Sequence, residues 1–218
     1  MGKKACAVSI IGGADGPTSI FMAGKLLKKN RKLSEQIRKA CYKRKRRRIE
    51  RRICSNSHTM EEVVVYIKDK YKAREISKKS YNYQEQYKSL KTSLIIKNKP
   101  ELLGEFAEVK KPKVYNETSL KRFWNRMEQQ RKKAENISDK EFPMDFHIYK
   151  IKISKLGEIR IGMDMIWGIL DCSYSGNQKD MKQLKRISKD VYRYYGVTKE
   201  DIKNCSERYS SLVTMLCT

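Results

Sequence analysis

The chain has 218 residues, with 50 Lys and Arg against 25 Asp and Glu, a net charge of +25. That length allows one domain with a real core and an appended arm. The charge exceeds what solubility needs and implies a polyanionic neighbour: RNA, DNA or an anionic membrane surface. The six cysteines form no C-x-x-C pair and only two histidines are present, with Cys54 and His58 the nearest approach to a zinc pattern. Scattered single cysteines fit a reducing cytoplasm, where they behave as small apolar residues.

In chain order, residues 5–23 form an apolar run interrupted by Gly12-Gly13, Asp15 and Gly16-Pro17. Those breaks argue against a signal-peptide h-region, which is an unbroken apolar helix. No later stretch approaches the ~18 apolar residues of a spanning helix. Lys25 to Arg52 then holds fifteen Lys or Arg and only Glu35 and Glu50 as acids, a net of +13. Ile37, Cys41, Ile49 and Ile53 are too sparse there for a core stripe, so residues 1–57 read as an apolar segment plus a basic arm, helical or disordered. The densest part supplies the candidate polyanion-binding residues Lys43, Arg44, Lys45, Arg46, Arg47, Arg48, Arg51 and Arg52. Tyr42 is the one aromatic in the basic run, which favours plain electrostatics over base stacking.

From Thr59 the texture changes, and residues 58–218 read as a globular domain. Thr59 with Glu62 is a capping-box pattern opening a helix. A second helix starts near Tyr83, with Tyr83, Tyr87, Leu90 and Leu94 on one face, and breaks at Pro100. A third carries the stripe Leu120, Phe123, Trp124 and Met127. The period then switches to two. His147, Tyr149, Ile151 and Ile153 alternate with Ile148, Lys150, Lys152 and Ser154. Lys155 to Glu158 turns the chain. Ile159, Ile161, Met163 and Met165 alternate again, and a strand from Trp167 to Tyr174 follows.

Two helices are expected to close the chain. Met181, Leu184, Ile187 and Val191 stripe the first, which ends at Gly196. Thr198 with Asp201 opens the second, striped by Ile202, Cys205, Tyr209, Leu212 and Leu216. The fold class predicted is α+β: a small three-stranded antiparallel meander packed with flanking amphipathic helices, plus the basic N-terminal arm.

Candidate chemistry in this part is sparse. The two distant histidines leave a Ser-His-Asp set without an anchor, and no P-loop or dinucleotide fingerprint is present. His147 reads as a half-buried strand histidine. Asp164 and Asp171 read as a solvated or turn-side pair, and Trp124 and Trp167 as core residues. No catalytic residue and no required cofactor are assigned.

The segment "IIGGADGPTSI", residues 10–20, closely resembles a signature of the β subunit of sodium-translocating carboxylic-acid decarboxylases. The match comprises Gly12, Gly13, Asp15, Gly16, Pro17 and Thr18. In that family the segment lies within the membrane and its aspartate handles Na⁺, so the resemblance implies Asp15 as a Na⁺ ligand and decarboxylase subunits as partners. Glycines and a proline that break a membrane helix bare carbonyls, which join a carboxylate around a cation. The family's second ion-binding motif has no counterpart here. The expectation is therefore a non-catalytic, motif-bearing accessory that cannot pump sodium alone, with Na⁺ as its only implied ion. A carboxy-lyase role would follow only from a functional motif. The rival expectations are a nucleic-acid-binding protein and a peripheral membrane-binding protein. Both fit a cytoplasmic location, the second at the inner face of the membrane.

Overall fold

The computed structural model describes residues 28–218, with residues 28–34 described by their backbone alone. The apolar run with Gly12, Gly13, Asp15, Gly16, Pro17 and Thr18 lies outside the described residues. Seven α-helices and four strands follow in the order α1 (Lys28–Glu50), α2 (Met60–Tyr71), β1 (Arg74–Glu75), α3 (Tyr81–Asn98), α4 (Glu117–Asn136), β2 (Phe146–Lys152), β3 (Glu158–Asp164), β4 (Ile169–Ser175), α5 (Gln178–Tyr195), α6 (Lys199–Asn204) and α7 (Glu207–Cys217). A 3-10 turn, Pro100–Phe106, links α3 to α4.

The sheet has four strands in the order β1-β2-β3-β4, not three. The added strand is two residues long, too short to show any alternation in sequence. The expected turn at residues 155–158 forms around Ser154, whose Oγ accepts the Gly157 amide at 2.7 Å. Strand β4 starts two residues later than Trp167. Residues 165–168 form the hairpin turn, with Gly168 at φ 63°.

Asp164 drives that shift. Its Oδ1 accepts the backbone N–H groups of Ile166 and Trp167 at 3.1 and 2.8 Å, an Asx-type turn that takes the chain out of the strand. Asp164 is thus on the turn side, one of the two expected placements, but it is fully buried and not solvated, and burial raises its pKa. Asp171 stays exposed on β4.

By compactness the described chain divides into two units. One comprises residues 28–74, 149–162 and 169–218; the other comprises 75–148 and 163–168.

In the first unit the sheet residues Ile151, Ile159, Ile161, Leu170 and Cys172 are buried, as are Val63 and Ile67 of α2. Leu184, Ile187 and Val191 of α5 join this core as their spacing predicts. Helices α2, α7 and strand β4 all pack on α5. The expected last helix is two. Cys205 adopts φ 49°, closing α6, and Ser206 caps α7 by accepting the Tyr209 N–H at 3.2 Å. Cys205 is therefore exposed and leaves the stripe.

Helix α1 packs against α7. The face it turns inward carries Tyr42, Arg46, Ile49 and Glu50, all half-buried, and Lys45 donates to the carbonyl of Cys217. The segment after α1 is also held: Asn56 N–H donates to Val197 O and His58 N–H to Tyr195 O, both at 3.0 Å. Arg208 fixes the same place. Its guanidinium lies 3.7 Å from the centroid of the Tyr195 ring and donates to the carbonyls of His58, Tyr195 and Gly196.

In the second unit α3 and α4 pack as a pair. Tyr83, Phe146 and Ile148 form a buried cluster on which Tyr87 and Leu90 rest, as the stripe on α3 predicts. The stripe on α4 packs only in part: Leu120 and Phe123 are half-buried. Trp124 is 62 % exposed and Met127 39 %, while the helix is anchored by Gln130 and Ala134 near its other end. Trp167 is half-buried and stacks on Phe142 at 4.8 Å. His147 is a half-buried strand histidine, as expected, held between Glu75 Oε1 at 2.7 Å and Asp145 Oδ1 at 2.9 Å.

Candidate polyanion-binding groove

Within the first unit, α5 presents two faces. The buried face carries the apolar stripe. The outer face carries Lys179, Lys182, Arg186, Asp190 and Arg193, spaced three, four, four and three residues apart, so that they line one side of the helix. Beside them lie Lys70, Tyr71 and Lys72 at the end of α2 and Lys152 at the end of β2. Together they wall a groove of about 890 Å³ whose floor includes Ile151, Ile153 and Ile187. Seven cationic side chains line it against one carboxylate.

That carboxylate is already committed. Asp190 Oδ2 accepts from Tyr66 Oη at 2.6 Å, Tyr71 Oη at 2.6 Å and Lys70 Nζ at 2.8 Å. Burial opposes its ionisation, but these three donors outweigh it and hold Asp190 below the usual carboxylate range. Burial and the bond to Asp190 push the Tyr71 phenol up to about 12, so it remains a donor at every physiological pH. Behind this cluster His58, Tyr194 and Tyr66 stack at 4.0 and 3.8 Å, which fixes α2 against α5. Among the described residues, none of the other six groove cations has a carboxylate within ion-pair distance, and all six are exposed. A set of like charges held close without counter-charges is costly unless an anion completes it.

Backbone strain also sits here. Lys72 closes α2 in the left-handed region at φ 55°, ψ 40°, a place usually taken by Gly or Asn. A non-glycine residue there costs about 1–2 kcal/mol. Lys72→Gly is expected to raise stability by about 1 kcal/mol in a denaturant melt while weakening anion binding several-fold. A gain in stability with anion binding unchanged would show that Lys72 serves only as a cap.

The sequence-predicted basic residues lie on and just after α1. Lys43, Arg44, Lys45, Arg47, Arg48, Arg51 and Arg52 are exposed; Arg46 is half-buried and pairs with Glu50 at 2.7 Å. This surface meets the charge of α5. Burial lowers the pKa of Lys189, and Lys45, Lys185 and Arg193 lower it further by repulsion. The sequence reading missed the basic stripe on α5, although its three-and-four spacing is a local signal that could have found it. Lys70, Lys72 and Lys152 are remote in sequence, and no local signal joins them to it.

No group of three or more His, Cys, Asp or Glu converges as a metal site among the described residues. Cys54 and His58 form none: His58 Nδ1–H donates to Tyr194 O at 2.6 Å. No helix among the described residues is long and apolar enough to cross a membrane. Comparison with family models, curated proteins and solved structures finds no match.

Proposed function

We propose that this chain is a nucleic-acid-binding protein that holds the phosphate backbone in the groove beside α5, with α1 adding a second run of contacts. The observation that carries the reading is the convergence of seven cations from α2, β2 and α5 on one recess whose single carboxylate is neutralised by three donors. A concave, cation-walled recess with an apolar floor suits a sugar-phosphate strand, which enters it, better than a planar layer of lipid headgroups. The arrangement contains no feature that reads base identity, so the binding expected is tight at low salt and largely indifferent to sequence.

Fluorescence anisotropy with a labelled oligonucleotide tests this directly. Affinity is expected to fall steeply between about 50 and 200 mM salt, linearly on a log–log plot. Two of the arm's cations have structural tasks: Lys45 donates to Cys217 O, and Arg46 pairs with Glu50. Replacing only Lys43, Arg44, Arg47 and Arg48 with Gln therefore isolates binding from packing. The slope should fall by roughly 0.7–0.9 for each of the four that touches a phosphate, with the thermal midpoint unchanged. An unchanged slope would remove α1 from the interface. Absence of binding at low salt would sink the reading as a whole.

A further inference from the structure

The second unit carries a surface that the groove does not explain. Residues at the first half of α4 have the spacing of a core stripe, yet only Leu120 and Phe123 are half-buried and Trp124 faces solvent. Trp124 is 62 % exposed, and Tyr115, in the loop before the helix, is 71 % exposed. Phe123 meets Trp124 edge-to-face at 5.6 Å. Next to them lies a recess of about 590 Å³ with Phe123 in its wall and Lys110, Arg122 and Arg126 around it; no carboxylate lines it. The remaining lining is Pro112 with the polar side chains of Asn116, Thr118, Ser119 and Asn125.

An exposed apolar patch rimmed by polar and charged residues, as Trp124 with Phe123 makes here, marks a contact site. The surrounding charge selects the partner. A second copy of this chain would bring Arg122 and Arg126 into the same contact as their counterparts. A bilayer would meet Asn116, Thr118, Ser119 and Asn125 interrupting the apolar groups that acyl chains need. Single-stranded nucleic acid matches both features: a flat base face stacks on Trp124, and the adjoining phosphates meet Lys110, Arg122 and Arg126.

We infer that the Trp124 face of the second unit, with the cation-rimmed recess at Phe123, stacks unpaired bases of single-stranded nucleic acid. This rests on the nucleic-acid reading above and adds its preferred form: strands with exposed bases over fully paired duplexes.

The test compares oligothymidylate with an abasic phosphodiester of equal length, which has the charge without the bases. Wild-type protein should bind oligothymidylate at least several-fold more tightly, with quenching of Trp124 emission. Trp124→Ala should cost about tenfold in affinity for oligothymidylate and leave abasic binding within about twofold. Trp124→Phe should recover part of the loss. Trp167, stacked on Phe142, provides the unquenched background. Equal loss on both polymers, or no quenching, overturns the inference. So does a Trp124 blue shift on anionic vesicles without quenching by oligothymidylate, which would make this a membrane face. Concentration-dependent sedimentation that Trp124→Ala abolishes would make it a self-association face. Failure of the groove reading reads differently: abasic binding would then be absent in the wild type, while quenching by bases would still report on this platform.

Discussion

Gly196→Ala is expected to destabilise the protein by about 3 kcal/mol or more. Two independent causes act at that position. Gly196 ends α5 at φ 59°, ψ −160°, a region open essentially to glycine alone. A β-carbon there would also fall 1.4 Å from the carbonyl oxygen of Asn56, inside its van der Waals radius. Relief would require the segment around Asn56 to leave its place, breaking the bonds from Asn56 to Val197 and from His58 to Tyr195. It would also cost Arg208 one of its three carbonyl acceptors, that of His58. At this size each kcal/mol corresponds to about 2–4 °C, so the midpoint should fall by roughly 6–12 °C. Gly104→Ala is the control. Gly104 has φ 57° but no atom within 4 Å of where the alanine methyl would sit, so only the backbone cost of about 1–2 kcal/mol applies. Equal effects from the two substitutions would mean that the segment after α1 is not seated on Tyr195–Val197.

The fold was legible in the sequence where one element carries its own signal. The capping boxes at Thr59 and Thr198 form as their spacing predicts, and the stripes of α3 and α5 are buried. Legibility failed where a local signal had two solutions or none. Leu120, Phe123, Trp124 and Met127 have core spacing, but periodicity reports a face, not whether anything covers it. Residues 199–217 keep one apolar period across Cys205, yet Ser206 bonds Asp201 Oδ1 at 2.6 Å and starts a new helix. The charge of the arm was plain by composition. Its attachment was not, since the contacts of α1 run through Tyr42, Arg46 and Ile49, a face half polar and too sparse to count as a core stripe. Asp190 gave no hint in sequence of its three donors, which come from α2, more than a hundred residues earlier.

The second large effect concerns the groove. Lys182 and Arg186 lie one turn apart on the outer face of α5, both exposed, and neither is ion-paired among the described residues. Each charge-assisted contact to a phosphate contributes about 1.5–3 kcal/mol. Replacing both with Glu removes two contacts and adds repulsion, so affinity should fall on the order of a hundredfold or more at moderate salt. Stability should change little, because the buried face of α5 is formed by Leu184, Ile187, Val191 and Tyr192 on the other side. A large loss of stability with binding retained in the surviving fold would reassign these residues to structure.

The decisive comparison sets that variant against one of identical net charge. Lys199→Glu with Lys203→Glu makes the same change on α6, at exposed positions outside the groove. Oligonucleotide titrations of both variants at several salt concentrations separate a placed site from overall attraction. If the groove holds the strand, the groove variant loses on the order of a hundredfold in affinity and about two contacts' worth of salt slope, while the α6 variant stays within about threefold of wild type. Equal losses in the two would contradict a placed site, leaving net charge, and not the groove beside α5, as the source of binding.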